Sequence, residues 1–154
     1  MIYCDLDGVL ADFNLAFYSL SGKWPHEVEK SVLWQKINST PDYWYQINKM
    51  SDADILLSFL QNYPYQILTG LPASGYAKAE KEKRAWVKDK INPNLNVICC
   101  LSKDKHIYCN HGDILIDDYP SNIKDWQQAG GIGILHTDAQ STIQQLKKTL
   151  ALSL

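Results

Sequence analysis

The stretch Ile2-Tyr3-Cys4-Asp5-Leu6-Asp7-Gly8-Val9-Leu10-Ala11-Asp12-Phe13 decides the fold. A short apolar run opens it and ends on two carboxylates two residues apart. In an extended segment alternate residues face the same way, so Asp5 and Asp7 project together. Gly8 then lets the chain turn sharply. Two acids held that close are costly unless a cation or a proton shares the site. A turn-forming Asp-Gly explains Asp7 alone, but it does not explain Asp5 or the acids that follow farther along.

Four more short apolar runs resemble the first: Tyr65 to Thr69, Asn96 to Cys100, Asp113 to Asp117 and Gly131 to His136. Nearly continuous apolar character suits strands buried on both faces of a parallel sheet. Between them lie segments with helical signals, at about 12–21, 51–62, 74–90, 121–129 and 138–152. In the second of these, Ser51-Asp52-Ala53-Asp54 offers a cap ahead of Ile55, Leu56, Phe59 and Leu60 on one face. The alternation predicts an α/β fold, a Rossmann-like parallel sheet of about five strands flanked by helices, with ligands at the carboxyl ends of the strands.

The interval between the first two strands is too long for one crossover. Its middle, about 22–50, carries Trp24, Val28, Val32, Leu33, Trp34, Ile37, Tyr43, Trp44, Tyr45 and Ile47, which a solvated loop does not need. It is read as a small, mainly helical cap inserted after the first strand. The core is then 1–21 and 51–154, and residues 1–154 form a single domain.

Size and composition agree. The chain has 154 residues, 45% hydrophobic and 21% charged, enough for one core and against disorder. Of the aromatics only three are Phe, against nine Tyr and five Trp, rings favoured where one end is dry and the other wet. Net charge is −2, with Arg84 the only guanidinium, so no basic footprint for extended nucleic acid is visible. No leader or membrane-spanning run is apparent, which points to the cytoplasm and to a small-molecule partner, and leaves a homodimer open. Cys99 and Cys100 are adjacent and Cys4 lies in an apolar run, so reduced thiols are expected. Cys100, His106, Cys109 and His111 could be read as soft metal ligands, although their spacing fits no familiar zinc pattern.

Three further segments carry chemistry. Thr69-Gly70 ends the second strand with a hydroxyl and backbone N–H groups that could hold an anionic oxygen. Lys83 interrupts the apolar stripe Tyr76, Ala79, Trp86, Val87, either as a snorkelling lysine or as one held inward beside a carboxylate and phosphate. Asp117-Asp118 ends the fourth strand. Read alone it is an acidic turn before Pro120. Converging with Asp5 and Asp7 on one sheet edge, it suggests Mg²⁺, which prefers hard oxygen ligands.

In that order these segments resemble the four motifs of the haloacid dehalogenase (HAD) superfamily of phosphotransferases. Asp5-Leu6-Asp7-Gly8-Val9 looks like the first, Thr69 the second, Lys83 the third and Asp117-Asp118 the fourth. Asp7 to Phe13, Glu82-Lys83-Arg84-Ala85-Trp86-Val87, Lys103-Asp104-Lys105 and Ile116-Asp117-Asp118 further resemble the 5′(3′)-deoxyribonucleotidases. The chain departs from that family at Gly70, often Ser there, at Ala73, where a Lys is expected, and at Lys103, which replaces an Arg.

The resemblance implies a Mg²⁺-dependent phosphomonoesterase acting on nucleoside monophosphates through an aspartyl-phosphate. Asp5 would be the nucleophile and Asp7 the general acid and base. Mg²⁺ would be held by Asp5, the Asp7 carbonyl and Asp118, with Asp117 in support. Thr69, Gly70 and Lys83 would clamp the phosphate. Phe13, Trp34, Trp44 and Tyr45 could form a slot for the base or simply anchor the cap to the core, and Lys103 and Lys105 could approach phosphate or sugar or stand as solvated surface lysines. The alternatives are another small phosphate ester, a nucleic-acid 3′-phosphate, or a non-catalytic phosphate-binding module.

Overall fold

A computed structural model describes residues 1–152. Five parallel strands, β1 (Ile2–Cys4), β2 (Tyr65–Leu71), β3 (Val97–Leu101), β4 (Ile114–Asp117) and β5 (Ile132–Leu135), form one sheet in the order β3-β2-β1-β4-β5. β1 is fully buried at the centre, with Cys4 paired to Ile67 on one side and Ile116 on the other. Alternation splits its neighbours between two cores. Ile2 and Cys4 pack with Ile67, Ile114 and Ile116, while Tyr3 packs with Leu68, Leu115, Ile123 and Trp126.

The helices are α1 (Phe13–Ser21), α2 (Lys30–Asn38), α3 (Ala53–Leu60), α4 (Tyr76–Lys90), α5 (Pro120–Gln128) and α6 (Ala139–Leu152). Leu56 and Leu60 of α3, Trp86 and Val87 of α4 and Leu146 of α6 join the first core; Ile123 and Trp126 of α5 join the second. The order is that of a HAD-like α/β fold. Outward from β1 the chain winds through β2 and β3, then restarts through β4 and β5. The crevice between β1 and β4 is the point where the winding reverses, the preferred ligand position in such sheets. The expected strands and helices are all present, within a few residues of the expected bounds. None of the helices is long and apolar enough to cross a membrane among the described residues.

The insert holds a one-turn 3-10 helix (Pro25–Glu27), α2 and a run of turns, so it is helical only in its first half. Its second half is fastened to α4. Trp86 Nε1 donates to the Ile47 carbonyl at 2.6 Å, Lys90 Nζ to the carbonyls of Tyr45 and Ile47, and Lys78 Nζ to that of Thr40. The Trp44 N–H donates to Glu82 Oε1 at 3.0 Å. Met50 N–H to the Leu10 carbonyl and Asp12 N–H to that of Asn48 tie the insert's exit to the loop after β1. Backbone groups that no helix satisfies are thus paired by side chains from the core.

A second 3-10 helix, Ser102–Tyr108, follows β3. Apolar periodicity gives no sign of so short an element, and it proves central to the site.

Candidate active site

Strand ends and the loops after them bring the chemistry together. After β1 the chain curls back within a few residues: the N–H groups of Leu10 and Ala11 both donate to the Leu6 carbonyl, and Gly8 takes φ 82°. A side chain at Gly8 is excluded twice, by that left-handed backbone and because its Cβ would run into the Asp118 carboxylate. The first loop and the end of β4 therefore touch, closing the crevice between Asp5 and Asp118.

Two buried lysines organise the acids. Lys105, 2% exposed, donates to Asp5 Oδ1 at 2.9 Å and to Asp117 Oδ2 at 2.7 Å. Lys83 donates to Asp7 Oδ2 at 2.7 Å, to Thr69 Oγ1 at 3.0 Å and to the Gly70 carbonyl at 2.8 Å. Lys105, expected among the substrate contacts, grips the nucleophile candidate; Lys83, expected at the phosphate, holds Asp7 and the end of β2. The 3-10 helix after β3 is what swings Lys105 inward.

Asp5 also accepts the Leu6 N–H on Oδ1 at 2.8 Å, so both of its contacts among the described residues fall on that oxygen. Oδ2 has no such contact among the described residues. Asp117 is saturated by contrast: Oδ1 takes the Tyr119 N–H at 2.9 Å, and Oδ2 takes Lys105 and Asn122 Nδ2. That suits a supporting position.

Burial, with Asp117 next, pushes the Asp5 carboxyl well above the usual carboxylate range, although Lys105 pulls it back. Asp118 is pushed up to about 6 by desolvation and by Asp117 and Asp7. Lys105 is held above its ordinary value, since Asp5 and Asp117 outweigh the cost of its burial. Carboxylate oxygens of Asp5, Asp117 and Asp118 lie within 4.8 Å of one another. An all-oxygen, net negative group in which Asp5 and Asp118 resist ionisation fits a hard divalent cation, which would offset the repulsion. The Asp7 carboxylate stands outside that group, turned to Lys83. Cys100, His106, Cys109 and His111 form no comparable group among the described residues; Cys109 Sγ turns to the Asn110 and Trp126 carbonyls.

The acids open into a cleft of about 450 Å³ walled by Phe13, Trp34 and Trp44 and floored by Gly70, Ser102, Lys105 and Asn122. Trp44 stacks on Phe13 (centroids 5.5 Å, planes 25° apart) and on Trp34 (6.3 Å, 26°). Since Trp44 is only 3% exposed, it backs the two outer rings, which are half-buried. Two expected contacts fall elsewhere. Tyr45 points its hydroxyl to Asp89 Oδ2 at 2.9 Å, on the α4 side. Lys103 is exposed and lies outside the cleft lining, on the solvent side of the 3-10 turn that buries Lys105.

Thr69 and Lys83 are buried directly behind Asp7 and Gly70 and do not themselves line the cleft. Sequence reasoning missed Ser102, Tyr119, Asn14 and Asn122 as lining residues. For Asn122 a signal existed: it falls on the first turn of α5, one turn beyond Asp118, where its side chain returns to the strand end.

No curated protein matches the chain. Among solved structures, a hydrolase from Streptococcus pneumoniae TIGR4 superposes with TM-score 0.53 at 14% identity, over 95% of this chain and 97% of its own. A HAD hydrolase, family IA, variant 3, from Entamoeba histolytica HM-1:IMSS gives 0.42 at 14% identity, over 86% and 82%. The family model described as 5′ nucleotidase, deoxy (Pyrimidine), cytosolic type C protein matches residues 28–147, which include Trp34 and Trp44 of the aromatic wall, both lysines and Asp117-Asp118 and leave out Phe13 and the Asp5 loop. The chain belongs to that nucleotidase family and is a phosphatase of the HAD superfamily.

Proposed function

We propose that the protein is a Mg²⁺-dependent nucleoside monophosphate phosphatase that works through a phosphoryl group carried on Asp5. The observation that carries this reading is the division of labour between the lysines. Lys105 fixes one oxygen of Asp5 and leaves the other to attack, while Lys83 fixes Asp7 two residues on. Mg²⁺, held by Asp5, the Asp7 carbonyl and Asp118, would neutralise the phosphoryl oxygens.

Asp5 Oδ2 attacks phosphorus as the ester P–O bond breaks, and Asp7 gives its proton to the departing nucleoside oxygen. Water then attacks the same phosphorus, Asp7 takes a proton from it, and the acyl-phosphate P–O bond breaks to release phosphate and restore Asp5. Lys83, paired to Asp7 Oδ2, holds the Asp7 carboxyl in place, and its charge favours the carboxylate left once the proton has gone to the departing oxygen. Asp117 keeps Lys105 charged, and Thr69 and the Gly70 carbonyl hold Lys83 in place. Phe13 and Trp34, backed by Trp44, offer faces for a base, worth about 1–3 kcal/mol by stacking. A cytosolic setting belongs to the same reading.

The test is phosphate release from a panel of 5′- and 3′-nucleoside monophosphates, sugar phosphates and 3′-phosphorylated oligonucleotides, with Mg²⁺ and with EDTA. Nucleoside monophosphates are expected to be turned over only with Mg²⁺, and Asp5→Asn to be inactive. Wild-type inactivity across the panel, or undiminished turnover by Asp5→Asn, contradicts the proposal.

A further inference from the structure

Ser102 opens the 3-10 helix after β3 and lines the cleft beside Gly70, Lys105 and Asn122. It is exposed, whereas the Thr69 hydroxyl is wholly buried and accepts from Lys83. A Cβ built on Gly70 would lie 2.9 Å from Ser102 Cβ, 3.0 Å from Ser102 Cα and 3.2 Å from Ser102 Oγ. A side chain at position 70 would therefore press on the turn that carries Ser102.

The hydroxyl is oriented. Asn122 Nδ2 donates to Ser102 Oγ at 3.1 Å, filling a lone pair and leaving the Ser102 proton to be given. Its acceptor within the protein, Asn122 Oδ1, lies at 3.4 Å, long for an O–H···O bond. Lys83 and Lys105 are already committed to carboxylates. Ser102 is thus a cleft-facing donor with no good internal acceptor, held by the same Asn122 that binds Asp117.

We infer that Ser102 is a phosphate-binding residue whose hydroxyl donates to a non-bridging phosphoryl oxygen, in the room that Gly70 leaves. The inference rests on the phosphomonoesterase reading and adds to it a neutral donor beside Gly70 and Asn122. Because phosphate is common to every substrate, Ser102 acts on all of them alike and does not select the base.

The test is calorimetric binding of inorganic phosphate to the full chain with Mg²⁺, alongside KM for a nucleoside monophosphate and for a small aryl phosphate. Losing one hydrogen bond to a charged group, Ser102→Ala should weaken phosphate binding about tenfold and raise both KM values by a similar factor. Gly70→Ser alone should also weaken binding, because its side chain collides with Ser102. Ser102→Thr keeps a hydroxyl on the same Cβ and should hold affinity to within about threefold of wild type.

Unchanged phosphate affinity in Ser102→Ala, with only kcat or Tm lowered, overturns the inference and leaves Ser102 a structural partner of Asn122. Phosphate affinity in Ser102→Thr no better than in Ser102→Ala overturns it too. Should the wild type bind phosphate yet hydrolyse no ester, the phosphatase reading fails while the phosphate-binding comparison still decides the role of Ser102.

Discussion

Lys105 carries the charge balance of the site, since its ammonium is the one that touches both Asp5 and Asp117. Lys105→Met leaves two buried acids facing each other without it. Removing one partner of a buried ion pair costs about 3–5 kcal/mol, so urea unfolding should show a loss of that order together with loss of turnover. Lys83→Met should impair turnover as well, through Asp7. Asp118 makes the opposite case. Its carboxyl is pushed up to about 6 by desolvation and by Asp117, so at neutral pH the metal-free protein holds a charge it resists. Asp118→Asn should therefore raise Tm in EDTA while abolishing activity, and a lowered Tm would contradict this account of the acid cluster. The acids were legible in the sequence because Asp5, Asp7, Asp117 and Asp118 end apolar runs. The assignment of the two lysines was not: periodicity made Lys83 conspicuous on a long helix, whereas Lys105 lies in a 3-10 segment too short to leave a pattern.

At the scale of elements, α4 acts as the spine of the cap. Glu82, Trp86, Lys78 and Lys90 on one helix bind the backbone of residues 40–47 and so set the distance between the aromatic wall and the acids. The outer ring Trp34 can be tested without emptying the core. Trp34→Ala should raise KM for nucleoside monophosphates about tenfold or more while changing that of a small aryl phosphate little, on the scale of one lost base stack. Equal changes for both substrates would contradict the base slot. Trp44 is the wrong residue for this experiment, because at 3% exposure its truncation would open a cavity costing about 3–5 kcal/mol. The presence of a cap could be read from its density of Trp and Tyr. Which rings face the cleft could not, because 40–47 run as turns, where neither the period of a helix nor that of a strand fixes direction; hence Trp44 turns inward and Tyr45 outward to Asp89.

For the molecule as a whole, the sheet order places the reversal of winding at Asp5 and Asp117, so fold and site are one consequence of the same five apolar runs. The far side of that crevice is braced by His136, whose N–H donates to the Asp117 carbonyl at 2.9 Å and whose Nδ1 meets Thr142 Oγ1 on α6 at 2.7 Å. Burial depresses its pKa below the ordinary value, although Asp52 and Asp138 pull it upward. Below about pH 6.5 the unfolded chain takes up a proton that the folded imidazole refuses, so this residue's contribution is full above that pH and is lost as pH falls. Tm should accordingly drop more steeply between pH 7 and 5.5 in the wild type than in His136→Gln; parallel curves would contradict it. The central claim, that phosphate passes through Asp5, is tested most directly by rapid acid quench with a labelled aryl phosphate, followed by peptide mapping. Label bound covalently to the peptide carrying Asp5, released by hydroxylamine and absent from Asp5→Asn, is the predicted result. Turnover in the wild type with no label on that peptide at any quench time, together with activity in Asp5→Asn, would contradict it.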